Sequence, residues 1–413
     1  MIDMMLYRLP FTGLLRELIS IGLLELAENN ILIFKGSELN ERVANVMENA
    51  SNAFENEFSQ ISSSKILLND INAYFKKTKR LVKWYGKKKF PEDYIGLMIY
   101  ALRGTSKLLK KKKVNFVDSI QSINIGKKVI LGNEYNNSLA ITPGVIKQAE
   151  FYEFQHEFLK PTAGKKPEIL LDPIWFALMA IGFLRCFAGY YDGKYYFITK
   201  EGIETILKDP SQVHTIFSAI ESLVASHIKI KPTPCCEELY ELKLSYGIAS
   251  GEKIIPKEVY PLKMYEISFI GNAYTCTRTM LIDLAETVDY LSGYINYLRS
   301  MFETTFMIKI GEDLQYDNPI HALLDLAERE IYKPVKGDNS MILLTFVKDL
   351  YRAIHTGRAN LIEEILLKLL RIFHSILIAN REVNLVLRKT IEAFMHEQHI
   401  KAIIYVKKEI ERY

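Results

Sequence analysis

Leu14, Leu15, Leu18, Ile19 and Leu23 recur at helical spacing, which predicts a helix near the front of the chain. Asn29-Asn30 then turns into a short apolar strand at 31–34, and an acidic helical pattern covers 37–60. After Asn69, an apolar stripe of Ile71, Phe75, Leu81, Val82 and Tyr85 predicts one helix that ends at Gly86. Pro91 can open the next helix, 94–109, and the alternation at 114–117 reads as a strand. A hairpin is predicted from 129–131, a Gly132-Asn133 turn and 139–142, followed by an aromatic-rich helix at 145–159. Residues 161–167 read as a loop. Pro173 suits the first turn of a helix over 174–187, and Asp192-Gly193 between two aromatic runs signals a type I′ hairpin.

Beyond that hairpin the pattern predicts a helix pair over 201–228 and strands at 259–262 and 265–270. From Tyr274 onward only helical spacing is visible, at 275–309, 318–332, 340–356, 358–378 and 381–411. The expected fold class is therefore α+β: a mixed α/β region over 1–272, then an all-helical bundle over 273–413.

Composition changes this picture little. With 413 residues and 49% apolar content the chain can build two or three cores, and 25% charged residues is ordinary for a globular protein. The most apolar run, 174–191, contains Arg185 and two glycines and is short for a bilayer, so no membrane span is expected. With no signal-peptide pattern at the start, a cytoplasmic location is expected. Four cysteines at these spacings make neither a disulfide framework nor a zinc knuckle.

Charge changes it a great deal. Between Lys76 and Lys128 there are 16 basic residues against Glu92, Asp93 and Asp118, a local excess of +13 in a chain whose total is +4. Tyr74, Phe75, Trp84, Tyr85, Phe90 and Phe116 lie among them. A dense positive field with flat side chains inside it suits an anionic polymer with stacked bases. The candidate nucleic-acid contacts are Lys76, Lys77, Lys79, Arg80, Lys83, Trp84, Lys87, Lys88, Lys89, Lys107, Lys110, Lys111, Lys112, Lys113, Lys127 and Lys128. Lys165 and Lys166 in the 161–167 loop, and Tyr191 and Lys194 on the tyrosine hairpin, join them. Lysine outnumbers arginine here, so these are point-charge contacts that would position a phosphate backbone without reading its sequence.

Three common catalytic signatures do not occur in this sequence. There is no Gly-x-x-x-x-Gly-Lys-Ser/Thr loop, no His-Glu-x-x-His and no Gly-x-Ser-x-Gly; His396 and His399 are spaced one residue short of the zinc-protease motif. No catalytic residue, metal ligand or cofactor is assigned.

The run Leu171-Asp172-Pro173-Ile174-Trp175-Phe176-Ala177-Leu178-Met179-Ala180-Ile181-Gly182-Phe183-Leu184, then Ala188-Gly189-Tyr190-Tyr191 and Tyr195-Tyr196-Phe197-Ile198, resembles the large subunit of archaeal type I-A CRISPR interference complexes (Cascade). So do Leu350-Tyr351-Arg352-Ala353-Ile354, Leu369-Leu370-Arg371 and the α/β-then-helical layout. The resemblance implies a non-catalytic subunit of an antiviral ribonucleoprotein. Its partners would be guide RNA, double-stranded and displaced single-stranded DNA, other Cascade subunits and a helicase-nuclease; guide pairing would supply sequence specificity. A stand-alone metal-dependent nucleic-acid-processing enzyme and a helical protein-binding scaffold stay open beside it.

Overall fold

Asp172 starts the element around which the front of the molecule is built. Its carboxylate accepts from Ile174 N (2.9 Å) and Trp175 N (3.0 Å), and Pro173 fills the first turn of the helix that follows. Capping, proline placement and apolar run thus all favour a helix here. In this computed structural model that helix runs Pro173–Cys186 and is buried on nearly every side.

The described residues are 9, 13–29, 36–61, 63–77, 79–86, 90–125, 129–133, 169–200, 212–230, 236–251, 259–270, 273–301, 308–310, 314–316, 318–331, 338–358, 360–379, 392, 401, 404 and 408. The front of the chain holds α1 (Leu14–Glu28), α2 (Gly36–Glu57), α3 (Leu68–Ile71), a π turn (Asn72–Lys76), α4 (Arg80–Tyr85), α5 (Tyr94–Lys110) and α6 (Phe116–Gln121). Then come β1 (Ile123–Ile125), β2 (Val129–Leu131), β3 (Ile169–Leu171), α7 (Pro173–Cys186), β4 (Phe187–Tyr191), β5 (Lys194–Lys200) and α8 (Val213–Ile230). The remainder holds α9 (Glu237–Ser250), β6 (Leu262–Ile270), β7 (Ala273–Ile282), α10 (Ala285–Met301), β8 (Ile308–Ile310), β9 (Leu314–Tyr316), α11 (Pro319–Ile331), α12 (Asp338–Thr356) and α13 (Asn360–Ala379).

The chain divides into two compact units. One comprises the chain up to Ala225 plus Pro261–Ile282; the other comprises Ser226–Tyr260 and the chain from Asp283 onward. In the first unit, α1 crosses α7 at Gly22 and Gly182, where a Cβ at either glycine would meet carbonyl oxygen of the other helix at 2.1 or 1.9 Å. Arg185 makes two 2.9 Å bonds to the Glu25 carboxylate across the same pair of helices. An antiparallel sheet ordered β4-β5-β6-β7 packs aromatic side chains in this unit, Phe183 lying 4.9 Å from Phe197. The second unit has a core of leucines and aromatics from five helices, including Leu242, Tyr294, Leu323, Phe346, Val347 and Leu369. No helix among the described residues is long and apolar enough to cross a membrane.

Mixed α and β structure is as expected, but an entirely helical 273–413 is not observed. Ala273–Ile282 is a strand paired with β6 along its whole length, and β8 pairs with β9. Thr275, Thr277 and Thr279 alternate along β7, a β-branched pattern that pairing with β6 makes decisive. Residue 272 comes between β6 and β7 in the chain.

Three local expectations are also corrected. Residues 116–121 are helical because the Asn115 side chain accepts from Val117 N (2.9 Å) and Asp118 N (3.2 Å), capping a turn that the alternation alone reads as a strand. The single helix from 69 to 85 is broken, passing from α3 through a π turn to Lys79 in left-handed conformation before α4 begins. Strand β2 pairs antiparallel with β1 before it and parallel with β3 after it; 139–142 lies outside the described residues. The Asp192-Gly193 turn forms as expected, with φ of 48° and 75°.

Candidate nucleic-acid interface

The spacing 100, 103, 104, 107, 111 follows one face of a 3.6-residue helix and continues just past its end. On α5 that face carries Tyr100, Arg103, Gly104, Lys107 and, at the C-cap, Lys111. Asp93 fixes where the helix starts, its carboxylate accepting from Gly96 N at 2.8 Å. Helix α4 lies against this face. Gly104 makes the approach possible: a Cβ there would sit 2.3 Å from the Tyr85 ring. The Thr105 hydroxyl donates to the Pro173 carbonyl (3.0 Å) and accepts from the Tyr85 hydroxyl (2.9 Å). Burial raises the Tyr85 phenol well above its ordinary range, so it stays a neutral donor.

Between the two helices lies a groove of about 890 Å³. Among the described residues five cations line it, namely Lys83, Arg103, Lys107, Lys111 and Lys113, together with the aromatics Trp84, Tyr85 and Tyr100, and no carboxylate does. Tyr85 and Tyr100 meet edge to face at 5.4 Å, and Tyr100 reaches the Gly86 carbonyl at 3.4 Å. Trp84 is only 6% exposed, its ring turned edge-on to Tyr85 and Phe176, so it forms floor more than open stacking surface.

Helix α2 supplies carboxylates that pair with cations of α5. Arg103 holds Glu55 through Nη1 (2.9 Å) and Nη2 and reaches Asn52 Oδ1 at 3.3 Å. That hydrogen bonding lowers the Glu55 carboxyl and raises the guanidinium. Lys110 pairs with Glu48, whose carboxyl is lowered chiefly by that bond. Arg103 is thus fixed and partly neutralised; the groove's lysines are Lys83, Lys107, Lys111 and Lys113. Such a surface can hold phosphates as point charges and offer tyrosine edges and faces to bases.

Of the candidates named from sequence, the groove brings together Lys83, Trp84, Lys107, Lys111 and Lys113. Lys76, Lys77, Lys79, Lys110 and Lys112 are exposed and Arg80 is half-buried, none of them lining it. Tyr191 and Lys194 lie on the four-stranded sheet, Tyr191 against Tyr196 at 6.0 Å and Lys194 paired with Glu266 at 2.8 Å. Lys87, Lys88, Lys89, Lys127, Lys128, Lys165 and Lys166 lie outside the described residues. Tyr85, Tyr100 and Arg103 were not among the sequence candidates; the helical spacing of 100, 103, 107 and 111 is the signal that marks two of them. Among the described residues no three His, Cys, Asp or Glu side chains gather where they could hold a metal ion.

The family model described as CRISPR-associated protein (Cas_Csx9) matches residues 32–404 of this chain. No curated protein and no solved structure matches it.

Proposed function

Since the chain belongs to the Cas_Csx9 family of CRISPR-associated proteins, we propose that it serves CRISPR defence as a non-catalytic, nucleic-acid-binding subunit of an RNA-guided DNA-targeting complex. The reading is that of a type I-A Cascade large subunit, holding guide RNA and opened DNA by their backbones beside other subunits and a helicase-nuclease. The observation that carries it is the groove between α4 and α5, where four lysines and Arg103, with no carboxylate among the described residues, surround a pair of tyrosines. Point charges around a half-buried aromatic lining suit backbone retention, while guide pairing would supply sequence choice.

Binding of the full chain to a labelled mixed-sequence strand, read by fluorescence anisotropy against salt, tests this. The four groove lysines, as phosphate contacts on a single strand, contribute about −2.8 to the slope of log K on log salt, or roughly 50-fold of the weakening between about 50 and 200 mM salt. The variant Lys83→Glu/Lys107→Glu/Lys111→Glu/Lys113→Glu should lose that binding. Unchanged affinity and slope in the variant would sink the groove assignment. Magnesium-dependent cleavage of the strand by the purified chain would favour a nucleic-acid-processing enzyme instead.

A further inference from the structure

Three side-chain-bearing residues among those described adopt left-handed backbone: Lys79 (φ 51°), Lys112 (φ 54°) and Asp192 (φ 48°). Asp192 is ordinary there, since aspartate is enriched in this region and its turn requires it. The two lysines are not. A Cβ in left-handed conformation crowds the neighbouring carbonyl, which is why helices commonly end on glycine. Elsewhere in this chain glycine takes the positive-φ position after a helix, as at Gly86 (φ 82°) after α4 and Gly357 (φ 62°) after α12.

After α5 it does not. Lys112 N–H donates to the Leu109 carbonyl (2.9 Å) and Lys113 N–H to the Leu108 carbonyl (2.9 Å), the paired closing bonds of a Schellman helix end. The position such an end gives to glycine is held by Lys112, whose side chain is exposed. The backbone strain is therefore present without buried packing to account for it. Lys79, the residue in front of α4, is likewise left-handed (φ 51°) and exposed, with no side-chain capping bond.

Both strained lysines adjoin groove cations. Lys112 lies between Lys111 and Lys113, and Lys79 precedes Lys83 by one helical turn. Strain retained at an exposed charged position points to a use for the charge. We infer that Lys79 and Lys112 are phosphate-contacting residues that carry the polyanion path past the groove's lining, at positions where glycine would give the more stable fold. This rests on the groove being a nucleic-acid site.

Lys112→Gly and Lys79→Gly, made in the full chain, test it with two readouts that a merely structural lysine would not move together. Thermal unfolding should shift up by about 2 °C in each. Salt titration with a labelled mixed-sequence single strand should flatten by about 0.7 in slope per variant. Lys112→Arg should leave the slope as in the parent, because the charge stays. Glycine variants with the parent's slope, or with a lower or lost unfolding transition, overturn the inference. If the parent binds and only the four-lysine groove variant fails, this inference falls alone; a parent without salt-dependent binding overturns both.

Discussion

Replacing Gly182 with alanine would put a methyl carbon 1.9 Å from the Leu18 carbonyl oxygen and 2.5 Å from its carbon. The obstacle is backbone on a facing helix, so no rotamer change relieves it. Restoring ordinary van der Waals contact requires α1 and α7 to part by about 1.5 Å at the crossing. Both glycines are buried, and the Arg185–Glu25 bonds bridge the same two helices. Overpacking of a core typically costs about 1–3 kcal/mol, and a backbone clash between two helices belongs at or above the top of that range. For a unit of this size about 3 kcal/mol corresponds to a fall of roughly 6–12 °C in unfolding temperature. Gly193→Ala provides the control: it has positive φ but nothing within 4 Å of an added Cβ, so only dihedral strain of about 1 kcal/mol applies. Differential scanning calorimetry of both variants decides the matter. A Gly182→Ala protein that unfolds within about 2 °C of the parent, or above Gly193→Ala, would refute the close-crossing argument.

Two further predictions concern pH. Burial drives the His227 imidazole down to about 3, with Nδ1 against the Tyr240 hydroxyl. The unfolded chain then takes up a proton below about pH 6.5 that the folded chain refuses, so acidification to pH 5 should remove about 2 kcal/mol. The parent's urea midpoint should fall across that range, and His227→Gln should fall less. Asp172 acts in the opposite sense, because burial pushes its carboxyl up to about 6 despite bonds from Ser119, Trp175, Ile174 and Asn133. The folded state keeps a proton that the unfolded state releases, so its contribution is lost as pH rises from about 4 through 6, by about 3 kcal/mol. Asp172→Asn should abolish that component, measured as the difference in urea midpoint between variant and parent across the window.

Elements whose start and end chemistry agree with their apolar pattern were legible in the sequence. Pro173 announces α7 and Asp192-Gly193 announces the β4–β5 turn, because helix-start and turn residues act within three or four positions. Strand β7 was not legible: the threonines at 275, 277 and 279 alternate, but the helical spacing of α10 follows directly and dominates the window. Nor was α6, since one asparagine side chain outweighs an alternating four-residue run. Lysine density was visible from sequence, but its convergence was not. Convergence depends on the break at Lys79 and on a ring resting against Gly104. The neutralisation of Arg103 by Glu55 joins positions 48 residues apart, beyond the reach of any local pattern.

The order in which the chain visits its two units has a consequence for biogenesis. The polypeptide leaves the first unit after Ala225 and returns only for Pro261–Ile282. Until β6 and β7 emerge from the ribosome, β5 has no partner on its second side, and three of the sheet's seams cannot all close. Vectorial synthesis must therefore deliver about two-thirds of the molecule before the first unit is complete. A premature stop between 226 and 261 would strand β5 as an unfinished sheet edge while leaving α4 and α5 already made.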